Sequence, residues 1–374
     1  MSNALVNGLA GAGGGIIAQI ITYPIQTVNT RQQTERIAKK TSQASVIGGG
    51  HLPSSGGTIS EMFQLIKMEG WGGLYSGLKP SLVGTATSQL LKNKAESIAA
   101  ARKKKGLGDG TVGMFSWLVV AAIAGSLNVL LTNPIWVLVT RMQTHTQAER
   151  RIMEARKEAI LKEYARITNV ENELAKLELI KPQPYGTFHA VREVYNEAGI
   201  KGFWKGLIPT LIMVCNPSIQ FMIYETSLKH LRKKRSGNGN GVKDVTALQV
   251  YIIHFSISLT TNGINAKLLV FLLGALAKLG ATVVTYPLLV VKSRLQAKQE
   301  IGKNAMSRYT GTLDAILKMI RYEGLYGFYK GMGTKIVQSV FAASVLFMVK
   351  EELVKAFIFV SDKGKKIHTT AIGE

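Results

Sequence analysis

Two short phrases recur in the same order three times along this chain, and that recurrence limits its folding more than any other feature. The first phrase places an Arg and a Gln seven and nine residues after a Pro: Pro24 with Arg31 and Gln33, Pro134 with Arg141 and Gln143, Pro287 with Arg294 and Gln296. The second closes on an aromatic residue and a glycine: Glu69-Gly70 leads to Tyr75-Ser76-Gly77, Ala198-Gly199 to Trp204-Lys205-Gly206, and Glu323-Gly324 to Tyr329-Lys330-Gly331. Units repeated at this scale bury their apolar faces only against one another. The 374 residues therefore read as one structure in three parts, not as two or three independent domains.

Hydrophobic residues make up 46% of the chain and mean hydropathy is +0.13, values compatible with a membrane or a soluble class. Their distribution decides. Residues 1–30, 111–140 and 207–224 carry no charge, and 268–291 carry only Lys278. A helix needs about 20 apolar residues to cross a bilayer, so these runs read as spans and the charged stretches as connections. The expected fold is an all-α membrane protein. Its first repeat covers 1–105, its second 106–235 with a long charged loop at 144–184, and its third 236–360, followed by a tail at 361–374. Two features break the pattern. After Gly77 the run that is uncharged apart from Lys79 stops at Leu91, which predicts a short second helix. An uncharged insert at 249–266 precedes the first helix of the third repeat alone and reads as an interfacial or re-entrant segment.

The first, third and fifth spans are rich in small residues: Gly11, Gly13, Gly14 and Gly15, then Ala121, Ala124 and Gly125, then Gly274, Ala277, Gly280 and Ala281. Such residues let membrane helices approach closely; no strand pattern precedes the first set, so it is not a phosphate loop. Each odd span is expected to end at its Pro, which cannot donate to the helix ladder. Residues 41–57 are Ser/Gly-rich and read as disordered, and the run from Glu149 reads as a solvated charged helix.

A net charge of +23 invites a nucleic-acid reading, but the basic residues crowd into connections such as Arg102–Lys105 and Arg232–Arg235. Cations flanking spans meet anionic lipid headgroups, and no nucleic-acid-binding signature accompanies them. The single cysteine, Cys215, excludes an intramolecular disulfide and a thiolate metal cluster. No secretory signal or Arg-rich presequence is visible. No catalytic or metal-binding spacing occurs where a pocket would form, so neither enzymatic activity nor a cofactor is expected.

Three copies of Pro-x-x-x-x-x-x-Arg-x-Gln followed by a Gly-x-x-x-x-aromatic phrase resemble the mitochondrial carrier family. The resemblance implies a six-transmembrane-helix, pseudo-threefold bundle with one central substrate site. It also implies alternating access controlled by two salt-bridge gates. The family places an acid and a base two and five residues after each Pro. Here those positions hold Gln26 and Asn29, Trp136 and Val139, and Leu289 and Lys292. The expected gate is apolar, with Gln26 and Asn29 hydrogen-bonded and Trp136 and Leu289 packed, and it is weakly salt-sensitive. The opposite gate is equally thin: Tyr224-Glu225 precedes Lys229 off the family's spacing, and Lys350-Glu351 stands where an aromatic-acid pair is usual. Trp136 and the stretch Asn216 to Phe221 look like the family's nucleotide-carrying branch. That implies exchange of NAD for an adenine nucleotide such as AMP or ADP across the peroxisomal membrane, with the mitochondrial inner membrane as the alternative.

Polar positions present in only one repeat are free to fit an asymmetric substrate. Lys278 has Gly15 and Gly125 as its counterparts, Lys335 has Ser81 and Thr210, and Gln338 is set against Ile212 and Val83. In the family this last ring lies at substrate level. Lysines within spans that lack acids point to an anion, a phosphate or pyrophosphate. Asn216 and Gln220, one turn apart, either present amides to a base edge or hold a helix–helix contact; Lys335 either binds substrate or snorkels to the interface. Two rival functions stay open: a carrier of another cofactor (CoA, FAD or ATP), and a non-transporting membrane protein that keeps the fold.

Overall fold

A computed structural model describes residues 3–35, 57–104, 114–163, 185–235, 266–299 and 308–372. Every repeat follows one plan: a long helix carrying the motif Pro, a short amphipathic helix, and a second long helix, which in the second repeat is broken at 214–215. The first repeat is α1 (Asn3–Thr34), α2 (Thr58–Leu74) and α3 (Leu78–Lys104); the second is α4 (Met114–Glu163), α5 (Thr187–Ala198), α6 (Leu207–Met213) and α7 (Asn216–Arg235). The third is α8 (Ala266–Gln296), α9 (Thr312–Glu323) and α10 (Met332–Ile372). Successive repeats pack through α3 on α4, α6 and α7 on α8, and α10 on α1. The bundle thereby closes on itself. Three stretches of described residues are long and apolar enough to cross a membrane, Ala122–Met153, Ile200–Tyr224 and Leu273–Gln296.

The small residues do what close packing asks of them. A Cβ on Gly13 would come within 3.3 Å of Leu353 on α10, and one on Gly125 within 2.7 Å of Val214. Ala277 and Ala281 are fully buried against Ile219 and Ile223 of α7. Gly274 differs: a Cβ there meets open space.

The structure corrects three expectations about helix ends. The odd helices do not stop at Pro24, Pro134 and Pro287, which all lie inside them. A buried Pro in a membrane helix is tolerated when the carbonyl one turn earlier finds another donor, and Trp204 Nε1 donates to the Leu130 carbonyl at 3.1 Å. The second helix is not short either, because α3 runs for 27 residues. Its charged second half, with Ala, Lys, Glu and Arg, is made of strong helix formers. The charged run after Thr144 is helical as expected, yet it is no separate element: α4 is continuous for 50 residues. The tail from 361 likewise continues α10 to Ile372. The insert at 249–266, the stretch 41–56 and residues 164–184 lie outside the described residues apart from Ala266, which opens α8.

Glycine punctuates the join between the short helix and the second long one. Gly70, Gly199 and Gly324 have φ of 70°, 60° and 68°, and Gly77, Gly206 and Gly331 have 81°, 73° and 79°. Only a residue without Cβ adopts these angles cheaply. At Gly77 a Cβ would also press to 3.2 Å from the Val139 carbonyl of the next repeat. The short helices are amphipathic: α5 buries Ala190 and Val194 while Phe188 is 90% exposed, and α9 buries Ala315 and Met319 and exposes Leu313 and Leu317. A helix with an apolar outer face suits the bilayer interface.

Candidate functional site

The motif arginines build a closed ring at one end of the bundle. Arg31 Nε donates to the Gln143 carbonyl at 2.8 Å, Arg141 Nε to the Gln296 carbonyl at 2.9 Å, and Arg294 Nε to the Gln33 carbonyl at 3.0 Å. Each repeat thus binds the backbone of the next in cyclic order. The remaining guanidinium nitrogens pair with an acid of their own repeat. Arg31 engages Glu69 twice, at 2.6 and 2.8 Å, and Arg294 engages Glu323 through both nitrogens. In the second repeat Ala198 occupies the acid's position, and Arg141 reaches Glu197 one residue earlier. These pairs are buried, with the Arg294 and Glu323 side chains 0% and 4% exposed. Burial would raise the Glu69 carboxyl, but the Arg31 guanidinium outweighs it and holds the group below its usual range.

A second threefold contact backs the ring. The residue before each Pro donates to the carbonyl of the residue before each closing glycine. Tyr23 bonds Ser76 at 2.9 Å, Asn133 bonds Lys205 at 3.4 Å, and Tyr286 bonds Lys330 at 2.8 Å. Tyr23 stacks on Tyr75 and Tyr286 on Tyr329, with ring centroids 6.3 and 6.2 Å apart. Asn133 and Trp204 replace these stacks in the second repeat, where Asn133 also donates to the Phe203 carbonyl at 3.0 Å.

At the positions of the expected gate, Gln26 and Asn29 are each hydrogen-bonded, though not to each other. Gln26 accepts from Gln19 at 2.9 Å, whereas Asn29 donates to the Gly331 carbonyl at 2.7 Å and accepts from Gln33 at 2.6 Å. The repeats are held to one another by the arginine-to-carbonyl bonds, and each Arg–Glu pair braces its own repeat beside them. Trp136 lies 3.5 Å from where a Gly84 Cβ would stand, and Leu289 packs against the core around Tyr286. Lys292 is half-buried against Gly206. The opposite gate, formed by Glu225, Lys229, Lys350 and Glu351, lies outside the described side chains.

Beside the ring, the second and third repeats share a further charged cluster. Lys298 reaches Glu149 at 3.1 Å and Glu193 at 3.2 Å, and the Tyr185 hydroxyl donates to Glu193. Burial opposes ionisation of Glu193, yet Tyr185, Lys298 and Arg141 keep it below its usual range. The His145 ring lies against Tyr185, centroids 3.5 Å apart, and its buried Nδ1 has no hydrogen-bond partner among the described residues.

Above the ring the three walls differ. The third repeat is cationic: Lys278 is exposed on α8, Lys292 is half-buried on the same helix, and Lys335 is half-buried on α10. Lys335 Nζ donates to Gln338 Oε1 at 3.1 Å. The spans carry no acid at this depth. The first repeat is polar and neutral, with Gln19 Nε2 donating to Gln26 Oε1 at 2.9 Å and to Ser81 Oγ at 3.0 Å. The second repeat offers apolar residues, including Val129, Met213 and Trp136.

The structure sorts the remaining candidates. Asn216 Nδ2 donates to Thr285 Oγ1 on α8 at 2.8 Å; it holds a helix–helix contact. Gln220 is half-buried one turn along α7. Counted from the closing glycines, Gln338 corresponds to Gly84 and Met213, not to Val83 and Ile212. Exposure agrees: Gln338 is 8% exposed, against 58% for Val83 and 50% for Ile212. Glu197, Asn133, Tyr23, Tyr286 and Gln19 were not singled out from the sequence. The one visible signal was the hydrogen-bonding residue before each Pro.

Such a bundle, threefold at its closed end and unlike in its three walls, is the architecture of a solute carrier. The sequence pattern of the mitochondrial carrier protein family matches residues 1–94, 110–235 and 267–361, and the chain belongs to that family. It is similar to the peroxisomal nicotinamide adenine dinucleotide carrier of Arabidopsis thaliana, 58% identical over 95% of this chain and 96% of that protein. It also resembles the chloroplastic nicotinamide adenine dinucleotide transporter 1 of Arabidopsis thaliana, at 29% identity over 95% of this chain and 93% of the relative. The peroxisomal membrane protein PMP34 of Mus musculus is 28% identical over 94% of this chain and 93% of its own. The chain is thus a multi-pass membrane transport protein and not an enzyme.

Proposed function

We propose that this carrier moves NAD across the peroxisomal membrane in exchange for an adenine nucleotide such as AMP or ADP. The observation that carries the reading is the set of three lysines, Lys278 and Lys292 on α8 and Lys335 on α10, in stretches 266–296 and 332–350 that carry no acid. Like charges held together in a low-dielectric interior are costly unless an anion joins them, and the pyrophosphate of a dinucleotide is such an anion. The relative at 58% identity, named for NAD and the peroxisome, supports the same choice of substrate and compartment.

Transport requires the ring to open. The arginine-to-carbonyl contacts separate as the repeats part, while each Arg–Glu pair lies within one repeat and travels with it. Anion binding supplies the differential free energy that such a change needs, because a ligand shifts an equilibrium only by preferring one state. Membrane lipids contact the apolar outer faces of α5 and α9.

NAD uptake into liposomes preloaded with AMP tests the proposal. Uptake that depends on internal AMP is expected; uptake of CoA, FAD or ATP in place of NAD would favour a carrier of another cofactor. That second reading has one observation behind it, since the lysine wall demands an anion and does not by itself select the base.

A further inference from the structure

We infer that Gln19 is an acceptor for an amino group on the base of the transported nucleotide; this rests on the nucleotide-carrier reading above. Gln19 stands seven residues before Gln26, two helical turns along the same face of α1. Both hydrogens of its amide are spent, one on Gln26 Oε1 at 2.9 Å and one on Ser81 Oγ at 3.0 Å. With Nε2 held twice, the amide cannot turn, and Oε1 is left without a donor among the described residues. The side chain is half-buried. A carbonyl oxygen fixed in direction and left open on a half-buried side chain is placed to accept from an N–H donor of a ligand.

The position fits a ligand held by the lysine wall. Ser81 and Lys335 each stand four residues past a closing glycine, Gly77 and Gly331, so repeat symmetry puts Gln19 and Lys335 at one depth on different walls. The second repeat has Val129 where the first has Gln19 and the third has Thr282. At this repeat position, five residues before the Pro, only the first repeat carries a long amide. An anion on the third wall leaves the rest of a nucleotide to reach across toward the first, and an exocyclic amine or a primary carboxamide supplies the missing donor. Ser81 is a positioning residue: it holds Gln19 and need not touch the ligand.

The test uses the purified full-length carrier and reads the shift of its unfolding temperature with ligand. The probes are AMP against IMP, and NAD against its hypoxanthine and nicotinic acid analogues; inorganic pyrophosphate reports the lysine wall alone. The intact chain is expected to bind an amino-bearing member about tenfold more tightly than its deaminated partner, the gain of one hydrogen bond. Weakening with the hypoxanthine analogue assigns the contact to adenine, and weakening with the nicotinic acid analogue assigns it to the carboxamide. Gln19→Leu is expected to abolish the preference and leave the pyrophosphate shift unchanged, while Ser81→Ala reduces it. NAD binding without any preference, or a preference that survives in Gln19→Leu, would overturn the Gln19 assignment alone and leave the carrier reading standing. No shift with any nucleotide, from a chain that still unfolds cooperatively, would overturn both.

Discussion

The ring at the motif end and the walls above it obey opposite rules. In the ring all three repeats make the same contacts, and where the sequence departs from the pattern another residue restores them: Glu197 stands in for the missing acid at Ala198, and Asn133 for a tyrosine. On the walls the repeats share almost nothing, since Lys278 faces Gly15 and Gly125 as counterparts and Lys335 faces Ser81 and Thr210. Positions that must move together are kept alike by geometry, whereas positions that meet an asymmetric solute are free to differ. Opening and closing are thus a property of the repeat. Selectivity belongs to single residues.

The largest break in this comparison comes from the ring. Glu323→Gln leaves Arg294, with a side chain 0% exposed, as an unpaired buried charge, and such a loss costs about 3–5 kcal/mol. A large fall in the unfolding temperature of the purified protein is expected, along with loss of transport of every substrate. Ala198→Glu sharpens the point from the other side. Arg141 already pairs with Glu197, so adding the acid in its regular position should give no stabilisation; a clear gain would show that Glu197 is an imperfect substitute.

A smaller effect is expected from the second contact set. Tyr286→Phe removes the donor to the Lys330 carbonyl and should cost about 1–3 kcal/mol, the penalty for an unsatisfied buried group. Asn133→Ala should fall in the same range, readable in the same melting experiment. If it does not, the second repeat relies on Trp204 instead.

The smallest expected effect is on pH dependence. Burial would raise the carboxyls of Glu69 and Glu193, but Arg31 holds the first and Tyr185, Lys298 and Arg141 hold the second below their usual range. A depressed carboxyl lets the unfolded chain take up its proton first, so stability is full above about pH 4.5 and falls as pH drops below it. Glu69→Gln should lower the melting temperature at neutral pH and flatten its fall below about pH 4.5.

Much of this was legible in the chain. The two recurring phrases fixed the repeat, the uncharged runs marked the spans, and Lys278 stood out as a charge within one. What failed had physical causes. The Pro residues looked like helix ends because a lost donor is visible in a sequence, while Trp204 reaching the Leu130 carbonyl is not. The second helix looked short because its charges masked the helix propensity of its second half. The gate was read at the family's acid and base positions, so the arginine-to-carbonyl contacts went unseen; backbone acceptors leave no trace in residue identity. Asn216 had two readings, and its 2.8 Å bond to Thr285, which supplies the helix–helix contact, was not visible in the sequence.

One experiment bears most directly on the division between a shared ring and a private lysine wall: NAD uptake into AMP-loaded liposomes by the intact chain, by Lys278→Ala and by Lys335→Ala, each checked for an unchanged melting temperature. Uptake by the intact chain, with losses of about tenfold or more in both variants at unchanged stability, is the expected result. Undiminished uptake by both variants would contradict an anion held on the third repeat.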